Sequence, residues 1–125
     1  MAILWVALGG ALGATARYGT ALVVASIIKT TPPVGTWTAN LLGSFVIGVL
    51  LPIVVRPEVP QSWRLFAIVG FLGAYTTFSS FSLESIQLLQ EQAYGWFLAN
   101  ALGTVFVGLG CVWAGLWVGR WLSGA

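Results

Sequence analysis

The chain has 125 residues, 58% of them hydrophobic and only 6% charged, with a mean hydropathy of +0.95. Soluble domains carry about a quarter charged residues, so a water-facing surface wrapped around a hidden core is excluded. The formal charge of +2 is too small and dispersed to hold nucleic acid, and with no histidine and three carboxylates most metal and hydrolytic sites are excluded too.

A membrane-spanning helix needs roughly 20 mainly apolar residues. Four stretches qualify, at 2–28, 34–55, 65–89 and 93–118, so the predicted fold is an all-α membrane protein of four helices in one domain. Sixteen glycines and seven tryptophans agree, since membrane helices pack through small residues and place Trp near headgroups.

The first stretch has no basic leader and no good cleavage pattern, so it reads as a span rather than a signal peptide. It carries Arg17, which either snorkels to an interface or attracts anions at the mouth of a watery vestibule. Gly9 and Gly13, like Gly115 and Gly119 in the last stretch, have the spacing that lets helices approach closely, within one chain or between chains.

The second stretch holds Asn40 and Ser44 on one helical face. As structure they bridge helices; as function, an amide N–H at mid-depth replaces a water around a small anion. Connectors 29–33, 56–64 and 90–92 are short and rich in helix-stopping residues, so whatever the protein does happens within or across the bilayer.

The third stretch contains GFLGAYTTFSSF from Gly70 to Phe81. Gly73 followed by Thr76 and Thr77 predicts a non-helical interruption, which a membrane tolerates when the freed backbone faces protein or a cavity. Carbonyls freed there can bind a cation. Phe78 and Phe81 share a face beyond the break, either as ordinary packing or with their electropositive ring edges turned to an anion. Asn40, Ser79, Ser82 and Thr104 are the available donors nearby. Glu84 is a poor anion ligand and is expected to pair with Arg17, Arg64 or a hydroxyl.

In the last stretch Asn100, Thr104 and Gly108 fall four apart and form a second polar or small face, although Thr104 can equally bond back to its own helix. Cys111 is alone and reads as a packing residue. Arg56, Arg64 and Arg120 fall on one side of the predicted spans and Lys29 on the other, a bias weak enough to permit insertion either way.

Three blocks, GGALGATARY at 9–18, GTWTANLLGSFVIG at 35–48 and GFLGAYTTFSSF at 70–81 followed by Glu84, resemble the Fluc (CrcB) family of fluoride channels. The resemblance implies a bacterial plasma-membrane protein that forms an antiparallel, dual-topology homodimer with two narrow fluoride pores along the subunit interface. Asn40 matches the pore asparagine, and Phe78 and Phe81 the two phenylalanines of the path. Thr77, Ser79, Ser82 and Thr104 match hydroxyl partners along it, Glu84 an acidic residue beside it, and Arg17 a basic position of the vestibule or packing. The carbonyls of Gly73 and Thr76 resemble those that hold a structural Na+ with their twofold mates. Ser80 stands where the family pattern has Thr, and Asn100 where some members have Tyr, which leaves the part played by Asn100 open.

Passive fluoride export is the implied activity, and no acid–base or nucleophile constellation suggests an enzyme. A small multidrug transporter would need a carboxylate in the first span, where this chain has Arg17. A structural or accessory membrane protein is the other rival.

Overall fold

The computed structural model describes residues 1–29 and 33–124. Thr30, Thr31 and Pro32 of the first predicted connector lie outside the described residues. The described residues form α1 (Ala2–Ile27), α2 (Val34–Val54), α3 (61–75), α4 (Phe78–Gln90) and α5 (Tyr94–Ser123). The four predicted spans therefore appear with ends shifted by a few residues, and the third is broken where expected, between α3 and α4.

Val34–Val54, Gln61–Gln90 taken through its break, and Tyr94–Ser123 are each long and apolar enough to cross a membrane. At 26 residues α1 matches them in length, but four glycines, two threonines and Arg17 lower its hydropathy. A left-handed Gly124 at φ 68° ends α5, a conformation that a residue without Cβ adopts without strain.

Two helix pairs make up the scaffold, α1 along α3 and α2 along α5. Each is a glycine seam. A Cβ added at Gly9 would overlap the Phe66 carbonyl, and one at Gly13 the Phe71 carbonyl; Gly70 meets the same seam from the α3 side. In the other pair, Cβ atoms at Gly115 and Gly119 would overlap the carbonyls of Phe45 and Val49, and one at Gly48 that of Val112. The two sequence spacings at 9/13 and 115/119 thus serve packing within one chain.

Neither long helix beyond α2 is purely α-helical. Residues Leu65–Leu72 of α3 and Ala99–Gly103 of α5 are wound as π-helix. Such widened turns shift the register of the side chains beyond them and occur often at functional sites. The first lies against the glycine seam of α1; the second carries Asn100.

Candidate functional site

Thr76 and Thr77 are the break. Both are extended, at φ −83°, ψ 159° and φ −151°, ψ 116°, so the helical hydrogen-bond ladder cannot cross them. In a membrane each group released from that ladder needs another partner. Asn40 supplies two of them: Thr77 N donates to Asn40 Oδ1 at 2.7 Å, and Asn40 Nδ2 donates to Thr77 O at 3.1 Å. The Thr77 hydroxyl then caps α4 by accepting from Ser80 N at 3.2 Å. Gly43, one turn along α2 from Asn40, lets this knot close, because a Cβ there would collide with the Thr76 methyl.

The break frees carbonyls, among them those of Gly73 and Thr76. In a continuous helix Thr77 N would bond Gly73 O, and Ser80 N would bond Thr76 O. Both donors are taken by side chains, Asn40 and Thr77. Gly73 O and Thr76 O are left without their helical partners, and both residues line an open groove.

That groove has a volume of about 450 Å³. It brings together Asn40 and Ser44 of α2, Thr76 and Thr77 of the break, Phe78 and Phe81 of α4 and Thr104 of α5, against a largely apolar wall. The Phe78 and Phe81 rings are 5.6 Å apart and tilted by 43°. Phe78 is 79% exposed in the single chain. One Asn40 N–H is committed to Thr77 O, and the residue lines the groove.

A second cavity of about 310 Å³ holds Arg17 and Tyr18 of α1, Gly35 and Thr36 of α2, and Ser80 and Glu84 of α4. Thr77 lines this cavity as well as the groove, so one residue forms a wall common to both. The expected hydroxyl partner of Glu84 is Thr36, whose Oγ1 donates to Glu84 Oε1 at 2.7 Å. Glu84 Oε2 is buried with no hydrogen-bond partner among the described residues.

Ser79 and Ser82 line neither cavity. The Ser79 hydroxyl lies 3.3 Å from that of Thr77, and Ser82 Oγ donates back to Phe78 O at 2.9 Å. Residues absent from the sequence-derived site also converge here. Half-buried Trp37 joins the buried Ser85 and Asn100 in a hydrogen-bonded group behind Phe81. From sequence Asn100 reads only as part of a polar face with Thr104; Ser85, four residues after Phe81, is the signal that could have tied that face to α4.

A family model described as CrcB-like protein, Camphor Resistance (CrcB), matches residues 4–116, a range that includes both cavities and the break. The chain belongs to the CrcB family. A Magnetococcus marinus protein named fluoride-specific ion channel FluC is 44% identical over 121 residues, covering 96% of this chain and 98% of its own. A Solibacter usitatus protein of the same name is 40% identical, covering 96% and 99%, and one from Geobacter metallireducens is 39% identical, covering 98% and 99%. This CrcB chain is a multi-pass membrane protein, and the names of its relatives are those of channels rather than enzymes.

Proposed function

We propose that this chain is one subunit of a fluoride-selective channel that lets cytoplasmic fluoride leave passively and so limits its toxicity. The observation that carries the reading is the groove, where the amide of Asn40, the hydroxyl of Thr104 and the paired rings of Phe78 and Phe81 meet in a largely apolar setting. Fluoride is small and strongly hydrated. A pore must replace its water with several weak partners rather than one strong one, or the ion would not leave. Neutral N–H and O–H donors and electropositive ring edges are partners of that kind. Arg17 stands outside this groove, in the second cavity, where it raises local anion concentration at an entrance. The channel names of relatives about 40% identical over nearly their whole length support the same choice of ion.

The working unit in this reading is an antiparallel homodimer of dual topology. Asn40, Thr76 and Thr77 line a groove that is open on the single chain, at a depth where lipid cannot satisfy polar groups. A second copy, inserted the other way as the weak charge bias permits, covers the groove and turns each open face into a closed path. In that dimer Ser79 and Ser82, which line neither cavity of one chain, belong to the path where the two subunits meet.

Na+ fits the break. The carbonyls of Gly73 and Thr76 have lost their helical donors, and carbonyl oxygen is the ligand type that a hard monovalent cation takes. Those two groups and their counterparts in the second copy would hold the ion, whose charge would offset carbonyl dipoles left without donors. No group of three or more His, Cys, Asp or Glu competes for a metal among the described residues.

The test is flux from vesicles loaded with potassium fluoride or potassium chloride, with valinomycin to carry the balancing charge. Purified protein should release fluoride rapidly and retain chloride. Equal release of both, or of neither, overturns the reading.

A further inference from the structure

Asn100 is wholly enclosed, with none of its surface exposed. A carboxamide has two donors and two acceptor lone pairs, and all four are used here. Oδ1 accepts from Trp37 Nε1 of α2 and, at 3.3 Å, from the Thr104 hydroxyl. Nδ2 donates to Ser85 Oγ of α4 at 2.8 Å and reaches Phe81 O at 3.5 Å. Ser85 Oγ in turn donates to Phe81 O at 2.7 Å, so both routes out of Nδ2 end on one carbonyl.

Where those bonds end suggests more than a brace. Phe81 and Thr104 both line the groove, and Trp37 adjoins Thr36, whose hydroxyl holds Glu84 on the next turn of α4. The amide also sits in the π-wound turn Ala99–Gly103, whose extra width shifts Asn100 relative to a regular helix. We infer that Asn100 is a positioning residue of the ion path, setting the backbone of Phe81 and the hydroxyl of Thr104 from one buried amide shared by α2, α4 and α5.

This rests on the channel reading above, and it explains how Thr104 can serve an anion. The Thr104 proton points at Asn100 Oδ1 and must swing away before it can meet an ion in the groove. Oδ1 keeps the Trp37 N–H when that happens, so the rotation leaves no buried acceptor empty. A site whose hydroxyl can change partners at little expense suits brief binding.

The experiment measures fluoride and chloride efflux per assembled channel for wild type, Asn100→Asp, Ser85→Ala and Ser85→Thr, with assembly followed by gel filtration. Asn100→Asp keeps the acceptor for Trp37 but sets an anionic oxygen against Phe81 O. Its fluoride flux per channel should fall roughly tenfold or more, with a narrower preference over chloride. Ser85→Ala removes the shorter route to Phe81 O and should lower flux by a smaller factor, while Ser85→Thr restores the hydroxyl and the flux. Variants that assemble and conduct like wild type overturn the inference. So does loss of assembly with unchanged flux and selectivity per channel, which is what a plain brace predicts. If Asn100→Asp does not assemble, Ser85→Ala against Ser85→Thr decides alone. Wild-type protein that passes no fluoride overturns the channel reading itself, whereas a conducting wild type with indifferent variants overturns only the part given to Asn100.

Discussion

The glycine seams and the broken third helix face the same constraint, a solvent that satisfies no polar group, and meet it in opposite ways. Along α1–α3 and α2–α5 the backbone stays helical and side chains are deleted, so that carbonyls such as Phe45 O lie where a Cβ would otherwise stand. At Thr76–Thr77 the backbone leaves the helix and side chains are recruited, Asn40 and the Thr77 hydroxyl replacing the lost ladder. One region gains close contact by having nothing to rotate. The other gains carbonyls without their helical donors, a feature an ion can use, and depends on a few side chains to hold the break open. The two regions should therefore respond differently to substitution, the seams losing the fold and the break losing function first.

The largest effect is expected in a seam. Gly115→Leu forces a side chain into the Phe45 carbonyl and the backbone of Gly48 and Val49, and overpacking against backbone that cannot yield costs about 3 kcal/mol or more. Little folded protein should be recovered from membranes by gel filtration, and recovery at wild-type levels would show that the seam can open. Gly110 is a control in the same helix, since a Cβ there meets nothing within 4 Å and Gly110→Ala should assemble normally.

Asn40→Asp tests the break. The carboxylate still accepts from Thr77 N, but it sets oxygen against Thr77 O and removes the amide donor from a residue that lines the groove. Leaving that buried acceptor unpaired costs about 1–3 kcal/mol, which the fold can survive. Fluoride efflux should fall roughly tenfold or more, through loss of the donor and through repulsion of the anion. Unchanged flux would confine Asn40 to holding the break.

Legibility in the sequence divides along the same line. Hydropathy marks the four spans, because apolar length is a local property. The break is marked by Gly73, Thr76 and Thr77, a glycine and two β-branched hydroxyl residues inside an apolar span. Glycine spacing at 9/13 and 115/119 announces close packing but not its partner, since two seams and a subunit interface ask for the same residues. What stays hidden is pairing at long range. That Asn40 would bond the backbone of Thr77, 37 residues away, and that Trp37, Ser85 and Asn100 would meet behind Phe81, depends on how α2 and α5 lie against α4. The π-wound turns are hidden for a related reason: they displace side chains by about one position, and a pattern read at 3.6 residues per turn misplaces every residue beyond them.

Phe78→Ile is expected to have the smallest effect on the fold and so sharpens the comparison most. With 79% of its surface exposed in the single chain, Phe78 contributes little to the stability of one subunit. Its ring lies 5.6 Å from that of Phe81 and lines the groove. Isoleucine keeps an apolar side chain of nearly similar bulk but has no ring edge to offer an anion. If the rings act electrostatically, fluoride efflux drops several-fold while the oligomer elutes and melts as wild type does. If Phe78 only fills space between subunits, Phe78→Ile conducts normally, and the path must be drawn through Phe81 and the donors alone. A variant that loses its assembly and its flux together would instead move Phe78 from the ion path to the subunit contact, placing it with the seams rather than with the break.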